Sequence, residues 1–316
     1  MAELVTLGET MAVFAPMANE PLRYATHYRI RIAGAESNLA IGLQKLGHSA
    51  GWISRLGEDE FGHFILNQIR AEGVDTSRVV FDGQHRSGVM FKEINAISET
   101  KVFYYREGSA ASFLSPADID PDYIAAAKIL HITGITPVLS ESCSLAVQKA
   151  IAIARQNQVL ISFDPNIRLK LWNGKDYTPL MLEILKQADI ISLGVGEARI
   201  LLQTGAIHEI FEQLFKLDRL TYLAVKDGPN GAWVGTKDAI HQIPPTKWKR
   251  IDAVGAGDAF NAGFVAGILE GLPLETCGTM GSIMGGLATQ TAGDTEGLPS
   301  QAEMHNFLTN KEIIYR

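Results

Sequence analysis

A doubly wound α/β fold, with a mainly parallel sheet covered by helices on both faces, is what this sequence predicts. Three observations predict it. Short apolar runs of strand character alternate with longer segments of helical period through most of the chain. Several of these runs end directly on glycine or charge, at Gly134, 164–168, 194–197, 226–231 and 255–258. The 316 residues are 46% hydrophobic and 20% charged, enough for a large core, and no repeat, low-complexity segment or linker divides them.

Taken in order, residues 3–7 read as a short strand ending at Gly8. Tyr28, Ile30 and Ile32 alternate with Arg29 and Arg31, a period-2 strand with one apolar and one cationic face. Gly34 opens a helix in which Leu39, Leu43 and Leu46 share a side, and Gly47 ends it. Residues 52–56 predict the next strand. Phe61, Ile65 and Ile69 mark a helix closed by Gly73. Between Ser87 and Arg106 the texture changes. Residues 89–91 and 102–105 predict two strands joined by a polar turn at 95–100. With the 28–32 strand they predict a small sheet set apart from the main body, a lid inserted at about 9–33 and 86–113 of a single domain spanning 1–316. The βα rhythm then returns. Strands are expected at 129–132, 159–163, 190–193 and 223–225. Helices are expected at 140–157 and 177–188, from Asp258, and from about Pro273. A turn is expected at 227–231. In such sheets ligands sit beyond the carboxyl ends of the strands, so the glycine and charged segments there should meet at one site.

Composition narrows the function. A formal charge of −7 argues against a nucleic-acid scaffold, and Lys247-Trp248-Lys249-Arg250, the one basic-aromatic cluster, reads as a solvated strand end. Two cysteines, Cys143 and Cys277, form no C-x-x-C pair or disulfide framework, which points to a reducing compartment and two small buried hydrophobes. No segment approaches the ~20 apolar residues of a membrane span, and residues 1–7 have no basic leader. The expectation is a soluble cytoplasmic protein without membrane or nucleic-acid partner. The eight histidines are scattered, so a histidine-ligated metal is not expected.

The chemistry concentrates at Ile251-Asp252-Ala253-Val254-Gly255-Ala256-Gly257-Asp258-Ala259-Phe260. Small residues uncover the backbone where a helix begins, and unpaired N–H groups with the helix dipole make an anion site, best suited to phosphate. An aspartate there suits one chemical role, taking a proton from a hydroxyl that attacks a phosphoryl group. An ordinary turn with a helix-capping aspartate would read the same way. A dinucleotide fingerprint fails at Phe260, Gly194-Val195-Gly196 fails at Arg199, and no P-loop is present.

The 252–260 stretch resembles the C-terminal signature of the ribokinase (PfkB) family of sugar kinases. Ala33-Gly34-Ala35-Glu36-Ser37-Asn38-Leu39-Ala40 resembles its N-terminal G-G-x-x-x-N-x-A element, and residues 55–62 resemble the loop that follows. The likeness runs from about residue 3 to about 300. It implies a ribokinase-like fold and an ATP-dependent kinase needing Mg²⁺. Asp258 would be the base, with the N–H groups of Gly255, Ala256 and Gly257 as the anion hole. Gly34 would let the chain approach the sugar and Asn38 would bond it. The helix N-terminus is expected to keep Asp258 ionised. Glu197 resembles the glutamate of the family's N-x-x-E element, which orders Mg²⁺ through water, although Gly194 stands at the asparagine position. Lys226, Gly228 and Gly231 lie in a run resembling the nucleotide-edge loop, and Asn166 joins them in binding ATP. A monovalent cation beside the Asp252 loop, as in some relatives, is left open.

Two further segments bear on the substrate. Tyr104 and Arg106 fall on one strand face by period 2, and Arg168 follows Asp164-Pro165-Asn166-Ile167 at the ligand edge. Arginine forks match a carboxylate in paired hydrogen bonds. Both segments resemble those of the family members that act on a keto-deoxy sugar acid, although the Asp-x-Asn-x-Arg run also occurs in its fructokinases. Asp294 is expected to reach the substrate too. The activity so implied is phosphorylation of the 6-hydroxyl of 2-dehydro-3-deoxygluconate. The rivals are a neutral-sugar kinase of fructokinase or ribokinase type and a non-catalytic sugar-binding regulator. A lid with one apolar face is expected to pair in a homo-oligomer.

Overall fold

A computed structural model describes residues 1–18, 20–93, 100–248 and 250–309. The polar turn expected at 95–100 lies, but for Thr100, outside the described residues, as does Lys249 of the basic cluster.

The strands are β1 Leu4–Leu7, β2 Met11–Pro16, β3 Tyr28–Ala33, β4 Ala50–Gly57, β5 Asp75–Asp82, β6 Val89–Glu93, β7 Lys101–Tyr105, β8 Ile129–Thr133, β9 Leu160–Asp164, β10 Ile190–Gly194, β11 Tyr222–Lys226, β12 Ala232–Gly235 and β13 Ile240–Ile243. Among the described residues they form two sheets. The larger runs β13-β12-β11-β10-β9-β8-β1-β4-β5, and the smaller runs β3-β2-β6-β7. In the larger sheet β1 pairs in parallel with both β4 and β8, and the chain winds outward from β1 in one direction and from β8 in the other. Parallelism extends from β11 to β5, and only β12 and β13 are antiparallel.

The doubly wound expectation therefore holds, and alternation explains it. Val5, Leu7, Leu130, Ile132, Ile191 and Leu193 enter one core layer, while Leu4, Ile129 and Ile190 enter the other. Strands buried on both faces read as mostly apolar runs, here broken by single buried polar residues such as His131 and Ser192. The ribokinase-like fold has its small sheet where the 9–33 and 86–113 segments run.

Four strands escaped the sequence reading. β12 and β13 have only four residues each, β13 is half polar, and the pair closes one edge of the sheet. β5 carries Asp75, Arg78 and Asp82 without period-2 alternation and is largely unburied, and β2 is small-residue-rich and ends on Pro16. The expected helix from Asp258 runs from Ala256 to Leu269, so Asp258 lies inside the first turn. The 227–231 turn is the link of the antiparallel β11–β12 hairpin.

The small sheet has two unlike faces. Ile30, Phe14, Phe91 and Phe103 form one row across its four strands, and Arg31, Val13, Met90 and Tyr104 form the opposite row. The first row turns outward with Ile30 and Phe103 exposed; the second, with Lys92 beyond Met90, turns toward the main body. Both cysteines are buried and unpaired, and burial pushes each thiol up to about 11, so neither is poised as a nucleophile.

Candidate active site

Gly255 caps the 256–269 helix with φ 84°, in the left-handed region. A Cβ built there would stand 2.8 Å from the Asp294 Cβ, so any side chain would be both strained and crowded. This turn lets the backbone of 255–257 run along the edge of a cavity while Asp258 enters it from the next position. Of the expected anion-hole donors, Ala256 N–H is bonded to the Ala253 carbonyl at 3.3 Å, whereas Gly255 and Gly257 line the cavity.

The carboxylate of Asp258 is buried between two amides. Asn38 Nδ2 donates to Oδ2 at 2.9 Å, and Asn166 Nδ2 donates to Oδ1 at 3.2 Å. The helix that begins after Gly34 brings Asn38, and the loop after β9 brings Asn166. Asn166 takes φ 41°, a left-handed conformation that asparagine tolerates. The amide oxygens of both residues are buried without a partner among the described residues, so each offers a free acceptor beside Asp258. The expectation that Asp258 is held ionised needs correction. Burial pushes its pKa up to about 7, aided by the Asp164 and Asp294 carboxylates, and the Asn38 bond and Arg168 charge only partly oppose this. Desolvation outweighs the helix dipole, and the group sits where a general base works best near neutral pH.

Gly34 also has a different reason from the expected one. Its backbone is extended, and a Cβ would lie 2.5 Å from both the Glu9 carbonyl and Thr10 Oγ1. The close approach it permits is to its own chain.

Asp164, at the end of β9, accepts from Lys226 Nζ at 2.7 Å and Asn261 Nδ2 at 2.6 Å. Against burial, the Lys226 charge and these bonds hold its pKa below the ordinary carboxylate value. Glu197 lines the same cavity. Its Oε2 accepts Gly194 N–H at 2.6 Å and its Oε1 accepts Ile167 N–H at 2.7 Å. Glu197 thus fastens the β10 turn to the β9 loop, and Gly194, which replaces the expected asparagine, contributes its N–H to that clamp. Burial and the nearby Asp164 raise the Glu197 pKa.

The cavity over Asp258 measures about 510 Å³, and Tyr104, Arg168 and Asp164 are among its walls. A second cavity of about 470 Å³ lies on the other side of the glycine loop, bounded by Gly228, Thr246, Trp248, Gly286 and Thr289. The two share Lys226, Arg250, Ala253 and Gly257. Gly228 has open space where a Cβ would stand, whereas at Gly231 a Cβ would lie 2.2 Å from the Ile243 carbonyl. Gly231 is therefore required by hairpin packing whatever binds.

Arg168 is exposed, lines the first cavity and has no ion-pair partner among the described residues. Arg106 differs. Its Nη2 pairs with buried Glu9 Oε2, its guanidinium carbon is 5.7 Å from the Tyr104 ring centroid, and it does not line the cavity. Asp294 does not line it either. It is buried, with Oδ2 accepting Asn38 Nδ2 at 3.2 Å and Oδ1 accepting Lys92 Nζ at 3.0 Å, so its place is behind Asn38 rather than against substrate. The sequence reading overlooked Lys92 and Arg250. A lysine directly after the apolar run Val89-Met90-Phe91 was the available signal for the first. For the second it was a basic cluster two residues before Asp252.

Two cavities that share residues over a glycine-capped helix, with a carboxyl of pKa about 7 on one side, form a geometry suited to phosphoryl transfer between a nucleotide and a small hydroxyl compound. The chain belongs to the PfkB family of carbohydrate kinases: the family described as pfkB family carbohydrate kinase matches residues 1–301, and the protein is a sugar kinase. It is 33% identical to a 2-dehydro-3-deoxygluconokinase of Bacillus subtilis over 99% of this chain and 98% of that one. It is 30% identical to a probable fructokinase-5 of Arabidopsis thaliana, covering 98% of each. Among solved structures, a PfkB protein from Polaromonas sp. JS666 is similar with TM-score 0.88 and 32% identity, over 96% of this chain and 99% of that one.

Proposed function

We propose that this sugar kinase phosphorylates the 6-hydroxyl of 2-dehydro-3-deoxygluconate with ATP, giving the 6-phosphate and ADP. The observation that carries the acid substrate is Arg168, an unpaired guanidinium in the wall of the cavity that holds Asp258, with Tyr104 also in that wall. A sugar carboxylate at Arg168 would leave the far end of the molecule for Asp258. The Bacillus subtilis relative supports the same reading.

In this mechanism the sugar lies between the two sheets and the ATP triphosphate runs over Gly257 from the second cavity. Asn38, expected against the sugar, does not line the cavity, and its part is to hold the Asp258 carboxylate in place through its amide. Asp258 takes the 6-hydroxyl proton as the oxygen attacks the terminal phosphorus. The new O–P bond forms as the bond to ADP breaks, and the N–H groups of Gly255 and Gly257 stabilise the charge on the moving phosphoryl. Lys226, shared by both cavities, lies on the path of the phosphates. Glu197, whose side chain lines the first cavity, would meet a nucleotide-borne Mg²⁺ through water, as is usual for this ion. When bound it supplies neutralisation of phosphate charge.

A neutral-sugar kinase is the second reading. It is favoured by Glu9, which neutralises Arg106, and by the Arabidopsis relative. A substrate panel decides between them: ADP release should be fast with 2-dehydro-3-deoxygluconate, slow with fructose and ribose, and abolished by chelation of divalent ions. Faster turnover of fructose would overturn the acid-sugar assignment. The outward row of Ile30 and Phe103 supports pairing of small sheets in a homo-oligomer, which a sedimentation mass equal to one chain would refute. A cytoplasmic location, where ATP and reduced thiols coexist, suits the two free cysteines. It would be contradicted by recovery of the protein outside the cytosolic fraction.

A further inference from the structure

Lys92 is only 1% exposed. It stands on β6, in the row of the small sheet that faces the main body. Its Nζ lies 2.5 Å from Asp252 Oδ2, 3.0 Å from Asp294 Oδ1 and 3.4 Å from the Ala292 carbonyl oxygen. Burying an ammonium is unfavourable unless opposite charges surround it. Here burial pulls the Lys92 pKa down, but the two carboxylates outweigh it and raise it above the ordinary value, so the group stays cationic.

The partners of this ammonium connect directly to the reaction. Asp252 begins the turn that leads to Gly255, and its other oxygen accepts Val254 N–H at 3.2 Å and Thr100 Oγ1 at 2.8 Å. Asp294 accepts from Asn38, and the same Asn38 Nδ2 donates to Asp258. One cation therefore holds the start of the glycine turn and, through two side chains, the carboxylate proposed as base. Two carboxylates and a carbonyl around a single positive charge are also what a dehydrated K⁺ or NH₄⁺ would require. The monovalent cation left open by the resemblance does not fit beside these carboxylates, because Lys92 already fills that place.

We propose that Lys92 is a positioning residue that serves as a built-in monovalent cation, delivered by the small sheet, so that phosphoryl transfer by this protein needs no added K⁺ or NH₄⁺. The inference rests on Asp258 as the base. It also ties the small sheet to the catalytic carboxylate through an ion pair rather than through apolar packing alone.

The test is ADP release from 2-dehydro-3-deoxygluconate and ATP with tetramethylammonium as the sole monovalent cation, compared with K⁺. The wild-type rate should be the same in both. Lys92→Ala, which opens room for an ion, should lose about 10²-fold in kcat, the cost of a misplaced base, with KM for ATP little changed. K⁺, NH₄⁺ or methylammonium should restore it saturably, and its unfolding midpoint should rise with K⁺ but not with tetramethylammonium. Lys92→Met, which fills the space, should not be rescued. Lys92→Arg should retain most activity. Wild-type activity that requires K⁺ overturns the proposal, and so does Lys92→Ala that is fully active without K⁺, or folded yet rescued by no cation. Asp258→Asn run alongside separates the two readings. If it is inactive while the wild type needs K⁺, the built-in cation alone is overturned. If it is active, the base assignment fails and takes this inference with it.

Discussion

Replacing Asp258 by Asn should make the protein slower and more stable at once. Burial lifts this carboxyl from 3.8 to about 7, a rise of about three units, and at ~1.4 kcal/mol per unit the folded protein bears up to about 4 kcal/mol when the group is ionised. The sign follows from the raised pKa. Between 3.8 and about 7 the folded state binds more protons than the unfolded state, so stability falls as pH rises through this window and is fully reduced above it. Asparagine does not titrate and escapes that loss. The site can accept it: the asparagine oxygen can take the Asn38 bond, and Asn166, whose Oδ1 has no partner, can turn its amide over to receive the new N–H. Thermal unfolding of both proteins at pH 5 and pH 8 measures the effect. The variant's advantage should grow toward pH 8, up to about 8 °C, taking about 2 °C per kcal/mol for a chain of this size. Turnover should fall about 10²–10⁴-fold, and wild-type kcat/KM should rise with pH to a plateau above about 7. Unchanged turnover in the variant would refute the base assignment. A melting advantage that does not grow with pH would refute the buried, strongly shifted carboxyl.

Arg168→Ala should raise KM for the sugar acid by about 10–100-fold, the worth of a charge-assisted bond of ~1.5–3 kcal/mol, and leave KM for fructose unchanged. Steady-state kinetics on both sugars check it, and equal losses on the two would remove the carboxylate role. Gly255→Ala places a Cβ at φ 84° and 2.8 Å from the Asp294 Cβ, so it should cost at least ~1–3 kcal/mol. A lowered unfolding midpoint with a lowered kcat is expected, and an unchanged midpoint would show that the turn is not under this constraint.

Much of the fold was legible because buried parallel strands leave mostly apolar runs, as in residues 129–132 and 190–193, each with a single polar residue (His131, Ser192), and because Gly34 and Gly73 mark helix ends. The four strands that escaped lie at or next to a sheet edge or in the small sheet, where pairing with a neighbouring strand, rather than local pattern, makes the strand. Site residues near 258 were legible for a local reason: a glycine turn opening a helix is written in consecutive positions. Arg106 and Asp294 were placed by residue type, and type does not reveal a partner. Glu9 lies nearly a hundred positions before Arg106, and Lys92 about two hundred before Asp294.

The sequence by itself determined the layered α/β architecture, the glycine turn at 255–257 that opens a helix and an aspartate beside it, because these depend on short-range backbone geometry and on periodicity. Only the tertiary structure decided the raised pKa of Asp258, the pairing of Arg106 with Glu9 and the seat of Lys92 between Asp252 and Asp294. Charge and desolvation act through space. Their balance at a buried group is set by neighbours that the chain supplies from far along its length, and it exists only once those neighbours have been folded together.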